Sequence, residues 1–407
     1  MARIWNKPRV AEQGSLRGKY KQTPFDYAQD KNTPLKKKVF VALSGGVDSS
    51  VAAFLLKEQG YDVVGVYMKC WDGLLTPDGV KFRNQCTWRE DRRDAMRVAA
   101  KLKIPFQTWD FTREYNERVV EYFFSEYAAG RTPNPDVMCN REIKFKLFLE
   151  RALTSSADYI ATGHYARVIQ NAKGKSQNLK SKFKNVFELC QAKDSAKDQS
   201  YFLYTLTQHE LKYVLFPIGE YGKAQVRELA RRAGLSTSEK PDSQGICFVG
   251  EVPVADFLRA RLPLQSGTIL TNDGRLVGEH DGVAFYTIGQ RHGMKISSRL
   301  PYYVAAKNVA ENVLVVGEGP VDSILYKQET IIDNVTWVSE PPKENTRLLG
   351  RIRYRQPLES GVLRRNFERD GTWRFIFAQP QRAVTPGQSL VLYDGERLVG
   401  GGVICDA

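Results

Sequence analysis

Three short stretches of the chain carry residue types spaced for chemistry. The first is Ser44-Gly45-Gly46-Val47-Asp48-Ser49. Two glycines let the main chain come close to a ligand, and Ser44 and Ser49 supply hydroxyls. An apolar run precedes the turn and a second one follows it, so the turn should lead from a strand into a helix. The first N–H groups of a helix lack internal partners and the helix dipole is positive there, which suits a phosphate group. No lysine follows the glycines, so this is not a Walker A loop, and the pattern is not G-x-G-x-x-G either. A bare Ser-Gly-Gly would read as no more than a helix start; the continuation into Asp48 and Ser49 favours the phosphate site. The second stretch is Arg131-Thr132-Pro133-Asn134-Pro135-Asp136-Val137-Met138-Cys139. Its two prolines fix a rigid turn. Cys139 then falls just ahead of a helix expected over residues 141–153, flanked by Arg131, Arg141 and Lys144. A helix N-terminus and basic neighbours lower a thiol pKa. Most lone cysteines are small buried residues, but the rigid turn and basic flanks point to a reactive thiol. The third stretch, Lys240-Pro241-Asp242-Ser243-Gln244-Gly245-Ile246-Cys247-Phe248, carries a second such cysteine.

The elements that must position these groups alternate. Residues 39–43 read as a buried strand and 51–57 as a helix stopped by Gly60. A second strand spans 62–68, with Met68 at its C-terminal end, where either an adenine contact or simple packing places it. A helix over 89–102, a strand over 106–109 and a helix over 115–127 follow. The strand over 158–162 delivers Gly163-His164-Tyr165 to the same edge of the sheet. Alternation of this kind implies an α/β fold with a doubly wound parallel sheet, whose ligands sit over the C-terminal strand ends. Residues 170–184, rich in Lys, Gly and Ser, read as a surface loop insertion, and 186–192 as a strand. Lys197-Asp198-Gln199-Ser200 is a polar cluster running into aromatics, which also suits a helix start with a solvated first turn. A helix over 224–233 ends at Gly234. From about Gly267 helical periods give way to short strands and tight turns. These read as two small β modules dividing near residue 322, the second a barrel. Arg351, Arg353, Tyr354 and Arg355, expected on its surface, could grip RNA backbone and stack on bases. The resulting division is a flexible basic extension (1–35), a catalytic domain (36–250), a central β-rich domain (251–322) and a C-terminal β-barrel (323–407).

The formal net charge of the 407-residue chain is +14, about half of it in the first 38 residues. A basic body fits a polyanionic partner such as nucleic acid. The six cysteines are scattered without a C-x-x-C pair, which argues against a zinc site or disulfide framework and for a reducing compartment. No apolar run approaches the roughly 20 residues of a membrane span, so no membrane partner is expected. Residues 1–35 show no apolar core of a secretory signal. A mitochondrial presequence is the alternative, against which Glu12, Asp26 and Asp30 stand; the cytoplasm is the expected location.

The glycine turn is similar to the pyrophosphate loop of the N-type ATP pyrophosphatases, which adenylate a carbonyl oxygen. From about Lys36 to the C-terminus the chain resembles the tRNA-specific 2-thiouridylases (MnmA/TrmU family). SGGVDSS, NPDVMCNREIKF, ATGHYAR, KDQSYFL, DSQGICF, RYRQ and AVTPGQS occur in that family's order. The resemblance implies an adenine nucleotide α-hydrolase-like domain and ATP-dependent exchange of the C2 oxygen of the wobble uridine of tRNA for sulfur. It further implies that Ala42, Leu43, Ser44, Gly45, Gly46, Val47, Asp48, Ser49, Met68 and Gly163 bind ATP, with Asp48 among the catalytic residues. Asn134, Pro135 and Asp136 would face the target base. Cys139 would be the nucleophile and Cys247 the carrier of persulfide sulfur, the two forming a disulfide in the cycle. His164, Lys197, Asp198, Gln199, Arg353, Tyr354 and Gln388 would contact tRNA at its anticodon stem-loop. Mg²⁺ is expected with ATP, without a dedicated metal motif. A persulfide-carrying donor protein is the second expected partner, and the enzyme is expected to be a monomer. The N-terminal extension and the 170–184 insertion depart from the family pattern without touching a motif. Two other readings stay open. An amide-forming ATP pyrophosphatase would need the glycine turn but neither cysteine. A non-catalytic RNA-binding protein would need only the basic body and the β modules.

Overall fold

The computed structural model describes residues 36–73, 87–172, 185–242, 254–294, 296 and 299–406. The N-terminal extension, residues 173–184 of the insertion, and the stretch with Cys247 lie outside them.

Strands β1 (Lys38–Ala42), β2 (Asp62–Lys69), β3 (Phe106–Asp110) and β4 (Tyr159–Ala161) join Val214–Leu215 in a five-stranded parallel sheet. The order is β3-β2-β1-β4 and then Val214–Leu215. β1 reads Lys-Val-Phe-Val-Ala because helices cover both faces of a parallel sheet and a central strand has no solvent side; Val39 and Val41 are fully buried. Helix α1 (Val47–Glu58) packs Val51, Ala52, Ala53, Leu55 and Leu56 inward. Helix α2 (Trp88–Leu102) buries Ala95, Val98, Ala99 and Leu102, one face of a 3.6-residue period. The chain leaves β1 for β2 on one side and reaches β4 on the other, so the strand order reverses at the β1/β4 boundary. Beyond the C-terminal ends of such a pair the loops diverge and leave a crevice.

Two helices differ from the sequence expectation by carrying wide turns. Residues 112–128 are helical throughout, with π-helical turns over Asn116–Val120. The helix expected from residue 141 begins at Pro135 and runs to Thr154, π-helical over Asn140–Leu147. Asn134 caps it by accepting from the Val137 N–H (3.3 Å), and Pro135 takes the first helical position, where its missing N–H costs nothing.

The β region holds two modules. The smaller is a four-stranded sheet of Gly267–Thr271, Leu276–His280, Tyr302–Asn308 and Val313–Glu318, packed on Ile269, Tyr286, Val304, Leu314 and Val316. In the larger, six strands from Tyr326–Trp337 to Arg397–Asp406 form one sheet whose first and last strands also pair, closing a barrel. Its core is Ile332, Leu348, Leu363, Phe375, Phe377, Leu390, Leu392 and Ile404. The residues expected to open a loop insertion, Gln170 to Ala172, instead complete the strand Ala166–Ala172. This strand pairs with Asn185–Gln191, and the hairpin joins the barrel sheet through Cys190 opposite Arg397. Alternation alone could not show that two strands in the middle of an α/β pattern belong to another sheet. No helix among the described residues is long and apolar enough to cross a membrane.

Candidate functional site

The glycine turn stands at the strand-order reversal, between β1 and α1. Gly45 has φ +80°, and a Cβ there would run into the Asp91 carbonyl. Gly46 caps α1 with no side-chain hydrogen bond to the first turn, so the positive helix end is left to a ligand rather than closed by the protein. The serines hold the turn's shape. Ser44 N–H donates to Ser49 Oγ (3.2 Å), Ser49 Oγ donates to the Gly46 carbonyl (3.2 Å), and Ser50 Oγ donates to the same carbonyl (2.7 Å). Ala42, Leu43, Val47 and Met68 are buried. Ser44 itself is exposed.

β4 ends beside this turn. A Cβ on Gly163 would stand 2.5 Å from Ser49 N and 2.8 Å from Asp48 C, so only glycine lets the two main chains meet. One residue on, the His164 ring lies 5.8 Å from that of Phe145, on the helix that carries Cys139. One short segment thus touches both the glycine turn and the cysteine helix. The cysteine helix is also tied to the turn Ser200–Leu203, where Asn140 donates to the Phe202 carbonyl (3.0 Å).

Asp48 sits in a chain of alternating charge. It accepts from Tyr165 Oη (2.9 Å) and twice from Lys223 Nζ (2.8 and 2.9 Å). Lys223 also pairs with Asp242 (2.8 Å), which further binds Arg227 (2.9 Å) and Lys197 (2.8 Å). Burial alone would raise the Asp242 pKa, but the bonds from Lys197 and Lys223 hold it down at about 2. Burial and the Asp48 charge push the Tyr165 phenol well above its ordinary value. Lys223 was not picked out from the sequence, and Tyr165 and Asp242 were named only within their stretches, without a role of their own. Lys223 left a signal: it opens the helix Lys223–Arg232, and a cation in a first turn opposes the helix dipole.

Around Cys139 the structure corrects one expectation. The thiol is fully buried, and two of its basic neighbours, Arg131 and Arg141, are engaged by acids. Arg131 makes a bidentate pair with Glu126 (2.6 and 2.5 Å), and Arg141 binds Glu142 (2.9 Å). Burial would raise Glu142, but its bonds to Lys146 and Arg141 bring it below the usual carboxylate range. Asn134, Pro135 and Asp136 are half-buried at the start of the same helix. Cys247 lies outside the described residues.

The residues expected to reach RNA are largely committed to the protein. Asp198 is 1 % exposed. It accepts from Ala192 N (3.0 Å) and Ser200 Oγ (2.9 Å) and pairs with the buried Arg351 (3.3 Å). Arg351 is therefore not the surface residue that strand alternation suggested, because it neutralises a buried carboxylate. His164 is buried against Thr162 Oγ1 (2.7 Å). Desolvation, helped by Lys144, pushes its pKa well down, so the ring is neutral. Gln199 accepts from Tyr165 N (2.9 Å). Arg353 donates to the carbonyls of Ile288 and Ala383 (2.8 and 3.0 Å) and to Thr385 (2.9 Å). Tyr354 packs its ring 4.6 Å from that of Phe202, and Gln388 donates to Thr132 and Pro133. Arg355 remains exposed, over the Tyr354 ring, and Lys197 keeps partial exposure beside Asp242. These positions gather at the seam between the parallel sheet and the barrel.

Residues 37–251 match a family model described as a tRNA methyl transferase HUP domain, 255–318 its PRC-barrel domain, and 327–404 an aminomethyltransferase beta-barrel domain. A tRNA-specific 2-thiouridylase MnmA of Streptococcus thermophilus is 45 % identical over 378 residues, 91 % of this chain and 96 % of the relative. One of Geobacillus thermodenitrificans is 48 % identical over 374 residues, 91 % of this chain and 95 % of the relative. A solved 4-thiouridine synthetase–RNA complex with bound ATP is 18 % identical, covering 55 % of this chain and 50 % of its own at a TM-score of 0.33, a likeness too slight to carry weight.

Proposed function

The chain belongs to the tRNA-specific 2-thiouridylases, enzymes that thiolate tRNA with ATP, and from that premise we propose that it replaces the C2 oxygen of the wobble uridine with sulfur. The observation that carries the proposal is the end of β4, where Gly163 backs onto the glycine turn and His164 onto the Cys139 helix. A group activated at the turn and a thiol acting on it are then served by one segment. The open helix end of α1 takes the phosphates of ATP, and Ala42, Leu43 and Met68 line the nucleotide's approach. Mg²⁺ bound with ATP would neutralise the charge of those phosphates. Among the described residues no group of three or more His, Cys, Asp or Glu is placed to hold an ion by itself. The methyl transfer named in the family-model descriptions has no use for a polyphosphate turn, which favours thiolation.

A uridine C2 carbonyl is a poor electrophile. Its oxygen attacks the α-phosphorus of ATP, pyrophosphate leaves, and C2 now bears AMP as a leaving group. Cys247, carrying a persulfide from a donor protein, presents its terminal sulfur to C2, and AMP departs with the C–O bond electrons. Cys139 thiolate attacks the Cys247 sulfur, so the S–S bond to the transferred atom breaks and a Cys139–Cys247 disulfide forms. A thiol reductant returns two electrons and resets the pair. Because Cys139 is buried, this step requires its thiol to be uncovered before it meets Cys247. Asn134, Pro135 and Asp136 face the base, and the anticodon stem-loop lies over the seam. The enzyme acts as a monomer in a reducing cytoplasm.

The test is mass spectrometry of nucleosides from unmodified tRNA incubated with the protein, ATP, Mg²⁺ and sulfide, beside Cys139→Ser. A 2-thiouridine peak that disappears in the variant is the expected result. AMP formation without any thionucleoside in the wild type would return the chain to the amide-forming class of ATP pyrophosphatase.

A further inference from the structure

The loop Pro386-Gly387-Gln388, which leads into the barrel strand Ser389–Asp394, lies against the turn that precedes Cys139. Thr132 N donates to the Pro386 carbonyl (2.9 Å). Gln388 Nε2 donates to the carbonyls of Thr132 (3.0 Å) and Pro133 (3.1 Å). A Cβ on Gly387 would stand 2.8 Å from both Thr132 N and Thr132 O, so no larger residue fits between the two main chains. The loop is itself fixed to the last barrel strand: Gly387 N donates to the Ile404 carbonyl (2.8 Å), and Ile404 N donates to that of Gln388 (2.8 Å). From the other side, Thr132 Oγ1 meets Thr287 Oγ1 of the smaller β module (3.4 Å).

An amide nitrogen has two N–H donors. Both of those on Gln388 are taken by main-chain carbonyls, and a phosphate can only accept. While this arrangement holds Gln388 therefore has no N–H left for an RNA phosphate, and only its side-chain oxygen could meet RNA, although the family resemblance implies an RNA contact. What it grips is informative. Pro133 and Pro135 fix their own φ angles, and Asn134 between them caps the helix through Val137 N. The run from Thr132 to Cys139 thus has little slack, and a displacement at Thr132 is passed on to the thiol.

We propose that Gln388 is a positioning residue: through Thr132 and Pro133 it sets where Asn134, Pro135, Asp136 and Cys139 stand relative to the target base. This rests on the reading of the chain as a tRNA thiolase. The barrel then contributes to the reaction by holding the base-facing turn of another domain, not only by carrying RNA.

The experiment uses the full chain with a tRNA transcript, ATP, Mg²⁺ and sulfide, and compares wild type with Gln388→Met, which keeps the length and removes both donors. The kcat for 2-thiouridine formation and the Kd for tRNA are measured separately. Expected is a fall in kcat of about tenfold or more, the equivalent of one lost interaction of about 1.4 kcal/mol, with the tRNA Kd within about twofold. The rate at which N-ethylmaleimide labels Cys139, mapped by mass spectrometry, should rise in the variant. Gly387→Ala presses on the same turn from the neighbouring residue and should give the same split, which covers the case in which Gln388→Met folds poorly. A Kd weakened as much as kcat, or an unchanged kcat with weaker tRNA binding, would make Gln388 an RNA contact and overturn the proposal. Unchanged kcat, Kd and labelling would overturn it as well. A wild type that makes no thionucleoside would defeat the thiolation reading instead, and the labelling rate would still decide whether Gln388 holds the turn.

Discussion

The two sides of the site are built by opposite means. At the end of the parallel sheet the reactive geometry is made of main chain: a left-handed Gly45, an uncapped helix end and a close approach at Gly163. At the seam with the barrel it is made of side chains drawn from distant parts of the sequence, such as Asp198 with Arg351 and Gln388 with Thr132. The first kind of surface stays available to a ligand, because among the described residues no side chain caps the helix end. The second uses up its charges and amides in joining two domains. Similar polar residues therefore do different work on the two sides, and exposure, not residue type, separates them.

Breaking the seam should have the largest effect on stability. Asp198→Ala leaves Arg351 buried without its partner, a change that typically costs about 3–5 kcal/mol. The urea midpoint should fall accordingly, while the protein that remains folded still binds ATP. A variant of unchanged stability that binds tRNA poorly would return Asp198 to the RNA surface.

The glycine turn should respond in the opposite way. Gly45→Ala forces a side chain into a left-handed position against the Asp91 carbonyl, a strain of about 1–3 kcal/mol. Stability should drop modestly, but ATP affinity, read by calorimetry, should fall by about thirtyfold or more because the turn itself is displaced. Full ATP affinity in Gly45→Ala would mean that the nucleotide does not use this turn.

The smallest effect is the most specific to the charge chain between the two sides. Asp242 titrates at about 2 in the folded protein, below its ordinary 3.8. A carboxylate depressed by folding adds stability above its unfolded pKa and loses it as pH falls through the folded value. The wild type should therefore lose stability between about pH 4 and pH 2 more steeply than Asp242→Asn, as read from urea midpoints across that range. Parallel pH profiles would show that Lys197 and Lys223 do not hold this carboxylate in solution.

Much of the sheet and the glycine turn was legible in the sequence because their causes are local. Apolar runs 39–43 and 62–68 mark buried strands, α2 shows its 3.6-residue period, and the continuation of Ser44-Gly45-Gly46 into Asp48 and Ser49 set this turn apart from an ordinary helix start. The turn before Cys139 was legible through its prolines, although the helix begins six residues earlier than expected because Asn134 caps it. The barrel was recognised as a barrel from its short strands and tight turns.

Other features had no local signature. That residues 166–172 and 185–191 pair with the barrel, that Arg351 faces a buried aspartate, and that Lys223 bridges Asp48 to Asp242 depend on contacts between segments far apart in the chain. Periodicity tells which face of a strand is apolar, not which charged side chain finds a partner behind it. The sequence by itself determined the chemistry on offer: a turn for phosphates, a thiol beside a rigid turn and a basic body. Only the tertiary structure decided which polar groups remain available for that chemistry, because an ion pair or a side-chain amide hydrogen bond closed between domains removes its members from the surface, and no stretch of sequence contains both partners.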